Sequence, residues 1–177
     1  YTAQLESTKC PFVIRYPRGE GVMSEWRTEM KEVQIGTGRR LKTGKEIAIL
    51  SFGHPGNFAV SAIRELRQYG IDPGHYDMRF VKPIDEELLH EVFTNFEKVI
   101  TVEDGCVMGG MGSAVLEFMA DHGYNSQVVR LGIPDQFIEH GEQQELYEEC
   151  GFSPSKIELS VKELLSKSKS IELKKRA

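Results

Sequence analysis

Two arginines near the beginning of the chain have the type and spacing to bind an anion. Arg15 and Arg18 bracket Tyr16-Pro17, directly after the apolar run Phe12-Val13-Ile14, which we predict as a short strand. The proline and the glycines that follow predict a turn that holds a guanidinium in one place. A planar guanidinium matches two oxygens of a phosphate ester, so this turn is a candidate phosphate site. From these residues alone, an ion pair with one of the chain's carboxylates is equally open.

A glycine-rich run, Gly109-Gly110-Met111-Gly112, is predicted to open a helix after an apolar strand. Unpaired backbone N–H groups at such a helix start attract anions, as in phosphate sites. The spacing matches neither G-x-G-x-x-G nor G-x-x-x-x-G-K-[ST], and Glu103 and Asp104 just before the run would repel a phosphate. We therefore interpret the glycines as a packing feature that lets the helix approach the sheet or a neighbouring subunit.

The histidines are scattered, and no two of them have the spacing of metal ligands. They are His54, His75, His90, His122 and His140. His54 follows an apolar strand, where α/β sheets gather ligands, and His140 lies in a predicted turn, so these two are candidates for catalysis. The default expectation for every histidine is a surface or core role.

Other reactive side chains lack the neighbours that catalysis needs. Ser51, Ser113 and Cys106 have no adjacent base and no G-x-S-x-G motif, so a hydrolase triad is not indicated. Arg79 and Lys82 flank a short apolar pair before Pro83, and we expect them to form salt bridges near a strand end.

The pattern of apolar runs and amphipathic segments predicts the strands and helices that position these residues. We predict strands at residues 32–35, 47–50, 76–80, 98–102 and 127–131. Helices are predicted at residues 57–69, from 85 onward, from the glycine run through 119, at 143–150 and at 155–165. Alternation of strand and helix predicts an α/β fold of three layers, with a mostly parallel sheet and helices on both faces.

The composition argues against several classes of protein. The 177 residues are 40% hydrophobic and 28% charged, as in soluble globular chains, and no apolar stretch is long enough to span a membrane. A net charge of -5 argues against a nucleic-acid partner. Three distant cysteines, Cys10, Cys106 and Cys150, indicate reduced thiols in a cytoplasmic protein.

Four runs of sequence, taken in order, resemble one family. The runs are Arg15-Tyr16-Pro17-Arg18-Gly19, residues 78–85, residues 101–103 with 109–113, and residues 131–135 with 137–138 and 140–141. In their order and separation they resemble the C-terminal part of the 1-deoxy-D-xylulose-5-phosphate synthases, which are transketolase-like enzymes.

The resemblance implies a transferase that uses thiamine diphosphate and magnesium to condense pyruvate with glyceraldehyde 3-phosphate, releasing carbon dioxide. The product would feed isoprenoid, thiamine and pyridoxal synthesis, and the parent would be a homodimer. By resemblance Arg18 binds the acceptor's phosphate and Arg15 is structural. The family's G-D-G motif is absent, so we expect no catalytic, cofactor-binding or metal-binding residue in this chain and no activity from the chain alone.

We expect four segments. Residues 1–21 would be the closing strand of a preceding pyrimidine-binding domain, 22–44 a linker, 45–166 a transketolase C-terminal-like domain and 167–177 a frayed tail. Because the chain begins at Tyr1, we interpret it as a fragment. Two alternatives stay open: a docking domain of a 2-oxo acid dehydrogenase beta subunit, and a subunit of a split transketolase.

Overall fold

The computed structural model of the chain describes residues 1–5, 10–19, 21–22, 25 and 27–176, with side chains up to residue 166. Its helices and strands are, in order, α1 (Thr2–Leu5), β1 (Arg39–Lys42), β2 (Ala48–Phe52), α2 (Pro55–Gln68), β3 (Gly74–Asp77), α3 (Glu86–Asn95), β4 (Lys98–Cys106), α4 (Met111–Asp121), β5 (Gln127–Ile133), α5 (Gln143–Glu149) and α6 (Pro154–Arg176).

The five strands form one sheet in the order β1-β3-β2-β4-β5. Neighbouring strands from β3 to β5 pair in parallel, whereas β1 pairs antiparallel with β3. Parallel pairing requires crossover connections, and α2, α3 and α4 supply them. The mostly parallel α/β fold is therefore confirmed.

Both faces of the sheet are covered by helices. Alternate residues of β2 face opposite sides, so Ile49 packs with α2 and α6, whereas Leu50 packs with α3 and α4. The same alternation places Ile100 and Val99 of β4 in opposite layers. The predicted three-layer arrangement follows directly, because a strand buried on both faces must be apolar on both.

Two helix ends follow the local sequence. At the end of α2, Gly70 adopts a φ of 72°, its N–H donates to Arg67 O, and the N–H of Ile71 donates to Leu66 O. At the start of α3, the Asp85 carboxylate accepts a hydrogen bond from the N–H of Leu88 at 2.9 Å. Both are standard ways of satisfying the unpaired backbone groups at helix ends.

Strand β1 lies inside the stretch predicted as a linker. Its sequence, Arg-Arg-Leu-Lys, carries little hydrophobic signal. Tertiary contacts hold it at the sheet edge: Arg39 Nε lies 3.0 Å from Asp77 Oδ2, and Arg40 Nη1 lies 2.8 Å from Glu91 Oε1. The strand predicted at residues 32–35 is wrong: residues 32–34 have no regular secondary structure, and a turn occupies residues 35–36.

Both ends of the chain differ from the predicted elements. Residues 12–14 form no strand, because none of the five described strands pairs with them. Helix α6 continues to Arg176, beyond the predicted helix end at residue 165. No glycine or proline interrupts this lysine-rich and serine-rich stretch, so nothing in its sequence stops the helix. Strand β3 occupies Gly74–Asp77, earlier than the predicted 76–80.

A buried histidine lies inside the sheet. His75 of β3 is 2% exposed, and its Nε2 lies 2.9 Å from Ser51 Oγ on β2. Burial lowers the pKa of His75 from 6.5 to about 4. The imidazole is therefore neutral in the folded protein at neutral pH, and Ser51 is a structural partner of the ring.

We predict that His75 makes the fold less stable in mild acid. Below pH 6.5 the unfolded chain takes up a proton that the folded chain accepts only near pH 4, so stability falls as the pH falls through this window. Between pH 8 and pH 5 the loss is about 2 kcal/mol. Urea unfolding at both pH values measures it. His75→Gln should remove this part of the slope, and the exposed His140→Gln should not; equal slopes in all three proteins would contradict the assignment.

Candidate functional site

The carboxyl ends of β2, β4 and β5 meet at one edge of the sheet, as parallel strands require. His54 follows β2 after a turn at Gly53, which has a φ of 75°. Glu103 and Asp104 lie on β4 next to β2, because Phe52 and Glu103 are register partners. His54, Glu103 and Asp104 therefore lie at the same edge of the sheet.

Glu103 is buried and occupies the start of α4. Its Oε2 accepts a hydrogen bond from the N–H of Met111 at 2.8 Å, and its Oε1 accepts one from the N–H of Gly112 at 2.8 Å. Glu103 is 3% exposed, and its negative carboxylate stabilises the positive end of the helix dipole. The backbone groups that a phosphate would need are therefore already bonded to a side chain of this chain.

The glycine run is thus a packing feature, as predicted. A Cβ on Gly110 would lie 2.3 Å from Cys106 O and 2.4 Å from Glu103 Oε2. A Cβ on Gly112 would lie 2.5 Å from Thr101 Oγ1. Only glycine lets α4 approach β4 closely enough for Glu103 to reach both N–H groups.

We predict that Gly110→Ala destabilises the fold by about 1–3 kcal/mol, because the new methyl would overlap a backbone carbonyl that cannot move freely. The matched control is Gly21→Ala, where an added Cβ meets nothing within 4 Å. Urea unfolding of the two variants tests this. Equal midpoints for both would show that the glycine is not required by packing.

A second set of contacts fixes the loop before α4. Arg130 Nη1 donates to Val107 O at 2.7 Å and to Ser113 Oγ at 2.8 Å. Ser113 Oγ in turn donates to Val107 O and accepts from the N–H of Gly109. Ser113 is therefore a structural residue of the loop, consistent with the absence of a predicted triad.

His54 lies in an aromatic setting at the carboxyl edge. Its ring centroid is 5.4 Å from that of Phe58 and 5.3 Å from that of Tyr147, and its Nδ1 lies 3.5 Å from Asp104 Oδ2. Burial lowers the pKa of His54, Asp104 raises it, and Arg15 lowers it further. Among the described residues, the buried Nε2 has no hydrogen-bond partner.

The neighbours of His54 do not supply a nucleophile. Burial raises the pKa of the Cys150 thiol, and the carboxylates of Glu149 and Asp104 raise it further, so the thiol stays protonated at neutral pH. Burial and Asp104 likewise raise the pKa of Tyr147, and a hydrogen bond with Gln143 opposes them. This arrangement orients groups and offers no activated attacking atom.

The predicted phosphate turn lies against the same edge. Arg18 O accepts a hydrogen bond from Gln143 Nε2 at 2.8 Å. Arg15 Nη1 lies 3.0 Å from the position that a Cβ on Gly105 would occupy. Within the described part of the chain, neither arginine forms an ion pair. We call residues 15–19 the arginine turn.

Among the described residues, the remaining sequence candidates form no hydrogen bond or ion pair with His54, Glu103 or Asp104. His90 and His122 belong to an aromatic cluster, where His90 Nδ1 lies 2.8 Å from Tyr124 Oη and His122 Nδ1 lies 2.9 Å from Phe118 O. His140 is exposed. The salt bridges expected for Arg79 and Lys82 are wrong: neither pairs with a carboxylate among the residues described, and Arg79 instead has a positive φ of 55°.

Residues that the sequence did not single out complete the edge. Gln143 contacts Arg18 from 125 residues away, and Tyr147 covers His54 from the next turn of α5. Neither belongs to a recognisable motif, so only the fold reveals them. All three cysteines are free, with Cys10 and Cys106 exposed.

The described residues do not fit a magnesium-diphosphate site. They contain no group of three or more His, Cys, Asp or Glu side chains that could hold a metal ion. Glu103 is committed to two backbone N–H groups, and the sequence has no Gly-Asp-Gly motif.

The fold is that of the transketolase C-terminal domain. The solved structure of transketolase mutant H261F from Pichia stipitis is similar in fold over 76% of this chain and 19% of that one, at a TM-score of 0.55 and 19% identity. Residues 36–157 match the family described as Transketolase, C-terminal domain. The chain belongs to this family.

Two similar proteins share the name of the family that the sequence resembles. The chain is 60% identical over 164 residues to the 1-deoxy-D-xylulose-5-phosphate synthase of Cytophaga hutchinsonii, covering 93% of this chain and 26% of that protein. It is 54% identical over 166 residues to the synthase of Bacteroides thetaiotaomicron, covering 93% and 25%. The chain therefore spans about a quarter of the length of these relatives.

This chain is 35% identical to a second protein of solved structure, a split-gene transketolase described as an inactive beta4 tetramer. The match covers 77% of this chain and 44% of that one at a TM-score of 0.69. The identity to the 1-deoxy-D-xylulose-5-phosphate synthases is higher than this 35%. The match to the family and the match to these synthases confirm the predicted family.

Proposed function

We propose that the chain is the C-terminal domain of a transferase that condenses pyruvate with glyceraldehyde 3-phosphate to 1-deoxy-D-xylulose 5-phosphate and carbon dioxide. The observation that carries this proposal is the 60% identity to a synthase of that name over 93% of the chain. The product of this reaction is a precursor of isoprenoids, thiamine and pyridoxal.

Arg18 is the residue of this chain that we assign to substrate. Its guanidinium is exposed and pairs with no carboxylate among the described residues, so its donors are free for the phosphate of the acceptor. The backbone of the arginine turn is bonded to Gln143, which leaves the guanidinium as the part that faces a ligand. Arg15 is the structural arginine, because its guanidinium lies against Gly105.

Thiamine diphosphate supplies the electron sink for this reaction. We assign the cofactor and its magnesium ion to parts of the enzyme outside this chain, because the described residues lack a fitting donor set. The chain alone is then inactive.

We further propose that the enzyme is a homodimer and is cytoplasmic. Among the described helices, none combines the length and apolar composition of a bilayer-spanning segment.

A split transketolase is the second candidate, favoured by the 35% identity to a protein titled as one. The two functions differ in the donor, since a synthase decarboxylates pyruvate and a transketolase uses a phosphorylated ketose. The third alternative, a docking domain that binds an acyltransferase, predicts capture of that partner's subunit-binding domain by the chain.

The test gives the enzyme that carries this chain either ¹³C-labelled pyruvate with glyceraldehyde 3-phosphate, or xylulose 5-phosphate with ribose 5-phosphate as the acceptor. We expect labelled product and one carbon dioxide per turnover from pyruvate, and no turnover of the ketose phosphate. Transfer from the ketose without carbon dioxide release would instead establish the split transketolase. The 177-residue chain alone should show no calorimetric heat with thiamine diphosphate and magnesium.

A further inference from the structure

The arginine turn is attached to the C-terminal domain at both of its ends. At one end, Gln143 Nε2 donates to Arg18 O at 2.8 Å, and a Cβ on Gly19 would lie 3.1 Å from Gln143 Oε1. Gly19 has a φ of 112°, which favours glycine, so the chain turns directly beside the Gln143 amide.

At the other end, Arg15 lies over the carboxyl edge of the sheet. Its Nη1 and Glu103 Oε2 lie 3.0 Å and 2.9 Å from the position that a Cβ on Gly105 would occupy. Arg15 and Asp104 are both close enough to His54 to shift its pKa, in opposite directions. A cation at this point therefore faces an edge that carries two carboxylates.

Helix α5 connects the arginine turn to the hydrophobic layer. Gln143 precedes Tyr147 by one helical turn, and the Tyr147 ring is buried against His54 and Phe58. The bond from Gln143 uses the carbonyl of Arg18 and leaves the guanidinium donors unoccupied.

We propose that Gln143 is a positioning residue that holds the arginine turn so that Arg18 faces the acceptor phosphate, while Arg15 lies against Gly105 at the other end of the turn. The proposal rests on the function proposed above. It gives the C-terminal domain a defined part in acceptor binding, although the domain provides no group that touches the reacting atoms.

The first measurement needs no substrate. Backbone ¹⁵N order parameters of Arg15, Tyr16, Arg18 and Gly19 in the 177-residue chain should fall in Gln143→Ala, because the turn loses its bond to α5. Gln144→Ala, a change at the adjacent exposed position of α5, should leave the order parameters as they are. Unchanged order parameters in Gln143→Ala would overturn the proposal whatever the function of the enzyme.

The second measurement uses the synthase that carries this chain. In Gln143→Ala the KM for glyceraldehyde 3-phosphate should rise about fivefold, the effect of one neutral hydrogen bond, while kcat and the KM for pyruvate stay within about twofold. Gln144→Ala should match the parent. An unchanged KM in Gln143→Ala, when Arg18→Ala raises it, would overturn the positioning role and leave the proposed function intact. If Arg18→Ala has no effect either, the proposed role of Arg18 fails, and the positioning role with it.

Discussion

Replacing Arg18 by alanine in the synthase should raise the KM for glyceraldehyde 3-phosphate by roughly 10- to 150-fold. The estimate follows from the loss of a charge-assisted contact of about 1.5–3 kcal/mol. The KM for pyruvate, which carries no phosphate, should change by less than about twofold. Steady-state kinetics with each substrate varied in turn measures both constants.

Two further variants sharpen this prediction. Arg18→Lys keeps the charge but loses the planar pair of donors, so its KM should lie between those of the parent and Arg18→Ala. Arg64→Ala, at an exposed arginine of α2, should behave as the parent. Equal increases in the two substrates' KM values for Arg18→Ala would remove Arg18 from the phosphate site.

The largest effect on stability is expected at Glu103. Glu103→Ala removes two hydrogen bonds from a buried carboxylate and leaves the N–H groups of Met111 and Gly112 without partners. Each bond of this kind contributes about 1.5–3 kcal/mol, so the free energy of unfolding should fall by roughly 3–5 kcal/mol. Urea unfolding followed by circular dichroism provides the measurement.

Control variants separate this cap from a general effect of removing an acid. Glu103→Gln keeps the shape and one acceptor oxygen, so it should lose about half as much stability. Glu117→Ala changes an exposed carboxylate of the same helix and should alter stability by less than about 0.5 kcal/mol. A Glu103→Ala protein as stable as Glu117→Ala would show that the carboxylate does not stabilise α4.

The layers of the fold could be predicted because their signals are local. The continuous apolar run at residues 47–50 is what a strand covered on both faces requires, and its residues divide between the two helix layers. Asp85 and Gly70 mark helix ends through contacts within a few residues. Such features depend on neighbours in sequence, so sequence alone is sufficient to find them.

Strand β1 and the site contacts could not be predicted because they depend on distant residues. Arg39 and Arg40 form a strand only through β3 and through carboxylates on other elements. Gln143 has no local feature that sets it apart from Gln144, and its contact with Arg18 exists only once α5 is packed. The resemblance identified Arg18, whereas the structure shows what holds its backbone.

The most direct test of the account is a crystal structure of the synthase that carries this chain with glyceraldehyde 3-phosphate bound. We expect phosphate oxygens within hydrogen-bond distance of the Arg18 guanidinium, with Arg15 against Gly105 and Gln143 bonded to Arg18 O. A phosphate bound without contact to Arg18 would contradict the account.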